Sequence, residues 1–297
     1  MNIPKFLNDL LIKQYGDKIT HDIIDGYNSK RKMTLRINTI KSSIDEVECE
    51  LKKSNLEFRK VMWSKEALIL ENASLDIIKN LDIYIDGKIY LQSLSSMIPA
   101  IILDPRDGDH ILDMTAAPGS KTTQMSALSE NKAFIMACEK NKIRCDRLKY
   151  NILKQGCKKV NVICEDSKKI DPYFNFDKIL LDAPCSGSGT ILMNDIDNKF
   201  SLKLVENSVI LQTELLKKAI SLLKSNQELV YSTCSILESE NEDQIINILK
   251  DNSLELVNID KNLFSDIPLL PTKIDGVICI KPTELYEGFF VAKIRKK

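Results

Sequence analysis

Apolar positions change their period along the chain. Phe6, Leu10, Leu11 and Tyr15 recur at helical spacing, MTLRINTI (33–40) reads as a strand, and Ile44, Val47 and Leu51 after Ser42 and Ser43 predict a capped helix. ALILEN and the segment around IYIDGKIYL alternate again, with no glycine-rich turn between them. Residues 1–90 therefore read as a small α+β domain. From Gln92 onward, short apolar runs alternate with longer helical stretches. The runs are HILDM (110–114), AFIMAC (133–138), VNVIC (160–164), DKILLDA (177–183) and ELVYSTC (228–234), and helices are predicted over 142–155 and 205–223. Strands apolar on both faces and spaced by helices imply a doubly wound α/β domain with a parallel sheet over residues 91–297. EGFFVAKIRK, after a proline-containing loop, predicts an antiparallel edge strand.

Composition narrows the class. A chain of 297 residues, 43% hydrophobic and 28% charged, has room for a large and a small folded domain and is neither disordered nor fibrous. The start lacks a basic leader with an apolar core, and no run approaches the roughly 18 apolar residues of a membrane span. A cytoplasmic monomer without membrane contact is the expectation. Eight cysteines show no C-x-x-C pair, and His21 and His110 match no motif, so no metal is expected and the thiols are expected to be free. Cys49, Cys138, Cys145, Cys157, Cys164 and Cys279 read as small core hydrophobes. Forty-two basic residues balance 42 acidic ones, so net charge does not mark a nucleic-acid binder. Local clusters do occur at Lys30–Lys32, along 140–159 and at Lys293–Lys297; most such runs are solvated helix faces.

Chemistry concentrates at strand ends. ILDMTAAPGSKTT (111–123) leaves a strand and turns through small residues before a helix, at the edge where open α/β sheets bind ligands. It matches neither G-x-G-x-x-G nor a P-loop, and standing alone it could be an ordinary strand-to-helix turn. Glu139 ends the next strand, where a carboxylate can accept both hydroxyls of a ribose, and Asp166 and Asp182 end the two after it. Any one acid there could be a helix cap; Asp113, Glu139, Asp166 and Asp182 on four consecutive strands form a pattern. LLDAPCSGSGT (180–190) and VYSTCSILESENE (230–242) each place a cysteine just past a strand, which directs Cys185 and Cys234 to the same edge. Carbon 5 of cytosine becomes nucleophilic only after addition at carbon 6, and a thiolate suits that addition.

These segments, with LRIN (35–38), LQSLSSMIPAIIL (91–103) and the ending EGFFVAKIRK, resemble the Sun (Fmu) family of RNA cytosine-5 methyltransferases, also called the RsmB/NOP family, over roughly residues 32–297. Having both PCS and TCS cysteines is specific to it, since DNA cytosine-5 methyltransferases lack the TCS partner. The resemblance implies a Rossmann-like class I methyltransferase domain that uses S-adenosylmethionine. It implies that Thr115, Ala116, Ala117, Pro118, Gly119, Ser120 and Lys121 wrap the methionine part of that donor. Glu139 would hold its ribose with Arg144 nearby, Asp166 would lie near the adenine, and Asp182 would sit between donor and cytosine. Cys234 would be the nucleophile and Cys185 the residue assisting proton removal and release. Three positions depart from the family pattern: Ser120 for a second glycine, Thr115 for a cysteine, and ILMNDIDN after Thr190 without a common arginine. Ribosomal RNA is the preferred substrate, with transfer RNA next, and contacts to it are expected from residues 1–90 and basic helix faces. A catalytically silent RNA-binding scaffold for ribosome assembly and a small-molecule enzyme are the alternatives.

Overall fold

The computed structural model describes residues 3–191 and 200–297. It contains two compact units, Lys32–Leu180 and the chain through Arg31 together with Leu181–Lys297. The second of these begins with α1 (Lys5–Asn28), which kinks at Gly16 and buries Leu7, Leu11, Tyr15, Ile23 and Tyr27.

The Lys32–Leu180 unit opens with β1 (Met33–Ile37), α2 (Ile44–Lys53), β2 (Phe58–Val61), β3 (Ser64–Leu70), α3 (Leu75–Lys79), α4 (Asp82–Ile85) and β4 (Ile89–Leu91). These strands form an antiparallel sheet in the order β2-β3-β1-β4. Ser43 caps α2 as expected, its hydroxyl accepting from Glu46 N at 3.2 Å. IYIDGKIYL does not alternate throughout: its first part is α4, and only Ile89–Leu91 is strand. Leu35, Ile37, Val47, Leu51, Leu68 and Ile89 are core residues of this layer.

The unit continues with α5 (Leu94–Leu103), β5 (His110–Asp113), α6 (Ser120–Leu128), β6 (Phe134–Cys138), α7 (Lys142–Lys154), β7 (Val160–Ile163) and β8 (Phe176–Asp182), whose last two residues pass into the other unit. Here β8, β5, β6 and β7 lie side by side and parallel, with α6 crossing from β5 to β6 and α7 from β6 to β7. The LRIN segment ties the small sheet to this layer. The buried Arg36 guanidinium donates to Gln92 Oε1 at 3.0 Å and to Thr123 Oγ1 at 2.9 Å, and Asn38 Nδ2 donates to the carbonyls of Gly87 and Gln155, each at 2.8 Å.

In the other unit follow α8 (Leu202–Leu222), β9 (Leu223–Thr233), α9 (Glu242–Ile248), β10 (Leu254–Val257), β11 (Ile278–Ile280) and β12 (Phe289–Lys296). β12 is antiparallel, as expected, but it is not an edge strand: β9 pairs along one side, and β10 and β11 along the other. Phe289, Phe290, Val291 and Ala292 are all buried, which suits a strand with neighbours on both sides.

The cysteines also depart from expectation. Cys145 and Cys164 form a disulfide with their Cα atoms 5.7 Å apart, because α7 and the end of β7 bring together positions that no short spacing announces. Cys49 is exposed rather than in the core, while Cys138 and Cys279 are buried free thiols. Among the described residues no helix is long and apolar enough to cross a membrane.

Burial pulls the Arg36 guanidinium down to about 10, so it keeps its charge at neutral pH. Arg36→Ala removes that charge's two hydrogen bonds and leaves Gln92 and Thr123 short of a donor. Chemical denaturation should register a loss of about 1.5–3 kcal/mol relative to the parent.

Candidate active site

In the Lys32–Leu180 unit, β5 ends at Asp113, whose Oδ2 accepts from Thr122 Oγ1 at 2.7 Å. The turn that follows is closed by Gly119 N donating to Ala116 O at 2.7 Å and tied to β6 by Ala116 N donating to Cys138 O at 2.8 Å. Gly119 has φ 106, and a Cβ there would lie 3.0 Å from Leu148 Cδ1, so both backbone and space call for glycine. Arg144 donates to Ala117 O and Asn151 Nδ2 to Pro118 O, each at 2.8 Å, which fixes the turn against α7. Ser120 then starts α6, Thr115 is half-buried, and the Lys121 ammonium donates to Ser96 Oγ at 2.8 Å.

Glu139 directly follows β6 and is 5% exposed. Its Oε1 accepts from Asn141 N at 2.8 Å, and its Oε2 lies 3.5 Å from Arg144 Nε. A carboxylate offers about four acceptor positions, so the lone pairs left over suit a vicinal diol. Asp166 stands three residues past the end of β7 and caps a short 3₁₀ turn, Oδ1 accepting from Lys168 N at 3.0 Å. Small residues in the turn, a buried carboxylate after β6 and a guanidinium beside it fit the methionine and ribose portions of S-adenosylmethionine.

The second group of residues lies in the other unit. Cys185 Sγ and Cys234 Sγ are 3.1 Å apart, both half-buried. Asp182 ends β8, and its Oδ1 accepts from Ser232 Oγ at 2.8 Å, while Ala183 N donates to Ser232 O at 2.8 Å. Three segments lock around the thiols: Gly189 N donates to Cys234 O at 2.9 Å, and Gly288 N to Gly189 O at 2.8 Å. A Cβ on Gly189 would sit 2.0 Å from Gly288 O, so the approach of these two backbones excludes every other residue. The hydrogen bond with Cys234, then burial, pushes the Cys185 thiol well above its ordinary range, so it keeps its proton at neutral pH.

The structure thus brings Cys185, Cys234 and Asp182 together in one unit, and residues 115–121 with Glu139 and Arg144 in the other. ILMNDIDN, read for its missing arginine, lies outside the described residues from Leu192 on. Sequence reasoning missed Ser232, which orients Asp182, and the ENE residues 240–242, all buried. Their signal was present in VYSTCSILESENE, but acids before a helix read as solvent-facing first-turn residues.

Glu242 is 1% exposed, and burial raises its pKa from 4.5 to about 7. A carboxyl whose folded value is raised favours folding below the unfolded value and loses that advantage as pH climbs from 4.5 through about 7. Glu242→Gln should therefore leave stability near pH 4 unchanged and raise it at pH 8, by about 3 kcal/mol at most. Thermal or urea unfolding at the two pH values checks the sign.

Comparison with known proteins places the chain in a family. The family model described as 16S rRNA methyltransferase RsmB/F matches residues 100–295, and that of the RsmF/B-like ferredoxin-like domain matches residues 3–77. Ribosomal RNA small subunit methyltransferase F of Shewanella woodyi is 33% identical over 304 residues, spanning 98% of this chain and 63% of that protein. The tRNA (cytosine(49)-C(5))-methyltransferase of Pyrococcus abyssi is 32% identical over 304 residues, spanning 98% of this chain and 97% of that protein. Among solved structures, a methyltransferase homolog protein from Pyrococcus horikoshii is 32% identical with a TM-score of 0.81, covering 99% of this chain and 100% of its own. NSun6 from the same organism, 24% identical with a TM-score of 0.86 over 99% and 98% of the two chains, shares the fold. The fold is Rossmann-like α/β with parallel strands and a ferredoxin-like N-terminal region, and the chain belongs to the RsmB/F methyltransferase family.

Proposed function

We propose that this protein methylates carbon 5 of a cytosine in RNA, with S-adenosylmethionine as donor and Cys234 as nucleophile. The observation that carries this is the pair of thiols 3.1 Å apart beside a strand-end carboxyl, an arrangement with no use in a simple binding module. Ribosomal RNA is the preferred substrate and transfer RNA the second, in line with the names of the relatives.

The Cys234 thiolate adds to carbon 6 of the ring, and the displaced double-bond electrons make carbon 5 an enamine carbon. Asp182, held by Ser232, hydrogen-bonds or protonates the ring nitrogen as that charge develops. S-adenosylmethionine, when bound, supplies a methyl on a sulfonium, which carbon 5 takes as the methyl–sulfur bond breaks. Glu139 accepts the donor's ribose hydroxyls with Arg144 beside it, Asp166 lies toward the adenine, and residues 115–121 hold the amino-acid end. Loss of the carbon 5 proton and breakage of the carbon–sulfur bond then restore aromaticity and free Cys234.

Cys185 suits the proton step by its position, 3.1 Å from the Cys234 sulfur. As a thiolate, its own proton given up to solvent, it takes the one from carbon 5. A target base must leave any helical stack to reach the thiol, so single-stranded or loop cytosines are favoured. Residues 1–90 form the RNA-docking module, assisted by the exposed basic positions Lys140, Lys142, Arg144, Arg147 and Lys149, whose phosphate contacts would be salt-sensitive. The protein acts as a cytoplasmic monomer.

Transfer of labelled methyl to unmodified ribosomal and transfer RNA, with nucleoside analysis, tests this. Wild type should yield 5-methylcytosine, Cys234→Ala should fall to background, and Cys185→Ala should accumulate a covalent protein–RNA species. A Cys234→Ala rate equal to wild type contradicts the assignment, and RNA binding without transfer favours a scaffold.

A further inference from the structure

The end of the TCS segment, ESENE (238–242), has no part in the reaction above, yet Glu240 and Asn241 are fully buried. Glu240 Oε1 accepts from Ser186 N at 2.8 Å and from Gln212 Nε2 at 3.2 Å. Its Oε2 accepts from Ser186 Oγ and from Ser235 Oγ, each at 2.6 Å. Ser186 and Ser235 are the residues immediately after Cys185 and Cys234. One carboxyl group therefore bonds the residue that follows each thiol.

Its neighbours hold the other flanks. Gln212 on α8 also donates to Pro184 O at 3.0 Å, the residue before Cys185. Asn241 Oδ1 accepts from Thr233 Oγ1 at 2.6 Å, the residue before Cys234, and its Nδ2 donates to Ser235 O at 2.9 Å. Tyr231 OH donates to Glu240 O at 2.6 Å and fixes the backbone of the glutamate itself. Every residue adjoining either cysteine in sequence is thus hydrogen-bonded to Gln212, Glu240 or Asn241.

We propose that Glu240 is the positioning residue of the thiol pair, a shared acceptor that couples the PCS and TCS turns and so sets the 3.1 Å separation across which the two cysteines cooperate. This rests on the reading of Cys185 and Cys234 as the reacting pair. Apolar packing would exclude water equally well, but it would leave the turns free to slide; three directional bonds from the two turns to one carboxyl define their register. The placement also has an electrostatic consequence, since the negative charge of Glu240 adds to the Cys234 interaction and burial in keeping the proton on Cys185.

The test compares Glu240→Gln, Glu240→Asp and the double variant Ser186→Ala/Ser235→Ala with wild type. Readouts are single-turnover methyl transfer, RNA KM, donor Kd, melting temperature and adduct yield in a Cys185→Ala background. Glutamine keeps the shape but offers one acceptor oxygen, so the methyl-transfer rate should fall roughly tenfold to a hundredfold. RNA KM and donor Kd should stay within about twofold, the signature of an interaction used in the reaction itself. The serine double variant, which keeps the carboxyl, should lose rate similarly, and combining it with Glu240→Gln should add little. A rate per folded molecule unchanged in all three variants, with only melting temperature lowered, overturns the proposal while leaving the thiol pair intact. Transfer that proceeds without Cys234 overturns the underlying assignment instead.

Discussion

Two thiol sulfurs 3.1 Å apart, contributed by segments 49 residues distant in sequence, are the constraint on which the proposed chemistry depends. Neither cysteine is held by regular secondary structure, because each lies just beyond a strand. Their geometry must come from the turns that carry them, and those turns are fixed by Gly189 against Gly288, by Ser188 against Ser235, and by a buried carboxyl that reaches both. The contact with Cys234, together with burial, also holds the Cys185 thiol well above its ordinary range.

Buried polar groups do similar work elsewhere in the molecule. Arg36 and Asn38 of LRIN spend their donors on backbone and side-chain acceptors from segments 49 to 117 residues away, including Thr123 on the helix that follows the 115–121 turn. Arg144 and Asn151 on α7 take the carbonyls of Ala117 and Pro118. A ligand approaching that turn meets a backbone already held, so little ordering cost falls on binding.

Much of this was legible in the sequence, for identifiable reasons. The strands between His110 and Thr233 carry continuous apolar runs, most completely buried in β5 and β8, a pattern that spacing reports faithfully, and Ser43 caps α2 by accepting from Glu46 N. The turn residues and both cysteines stood out because small residues and thiols after strands are chemically unusual. What escaped were features set by partners distant in sequence. β12 reads as an edge strand until β9, β10 and β11 are known to flank it. The disulfide joins a helix residue to a strand end 19 positions on, and Glu240 looks like an exposed acid before a helix until its serine partners are placed around it. A buried carboxyl leaves no periodic trace.

The most direct test of the central claim is to incubate the protein and S-adenosylmethionine with RNA carrying 5-fluorocytosine, whose carbon 5 has no proton to lose, and to map the product by peptide mass spectrometry. The account predicts a stable adduct on the Cys234 peptide, carrying a methyl group on the fluorinated base, and none when Cys234 is alanine. An adduct on Cys185 instead, or labelled RNA with no adduct at all, would contradict it.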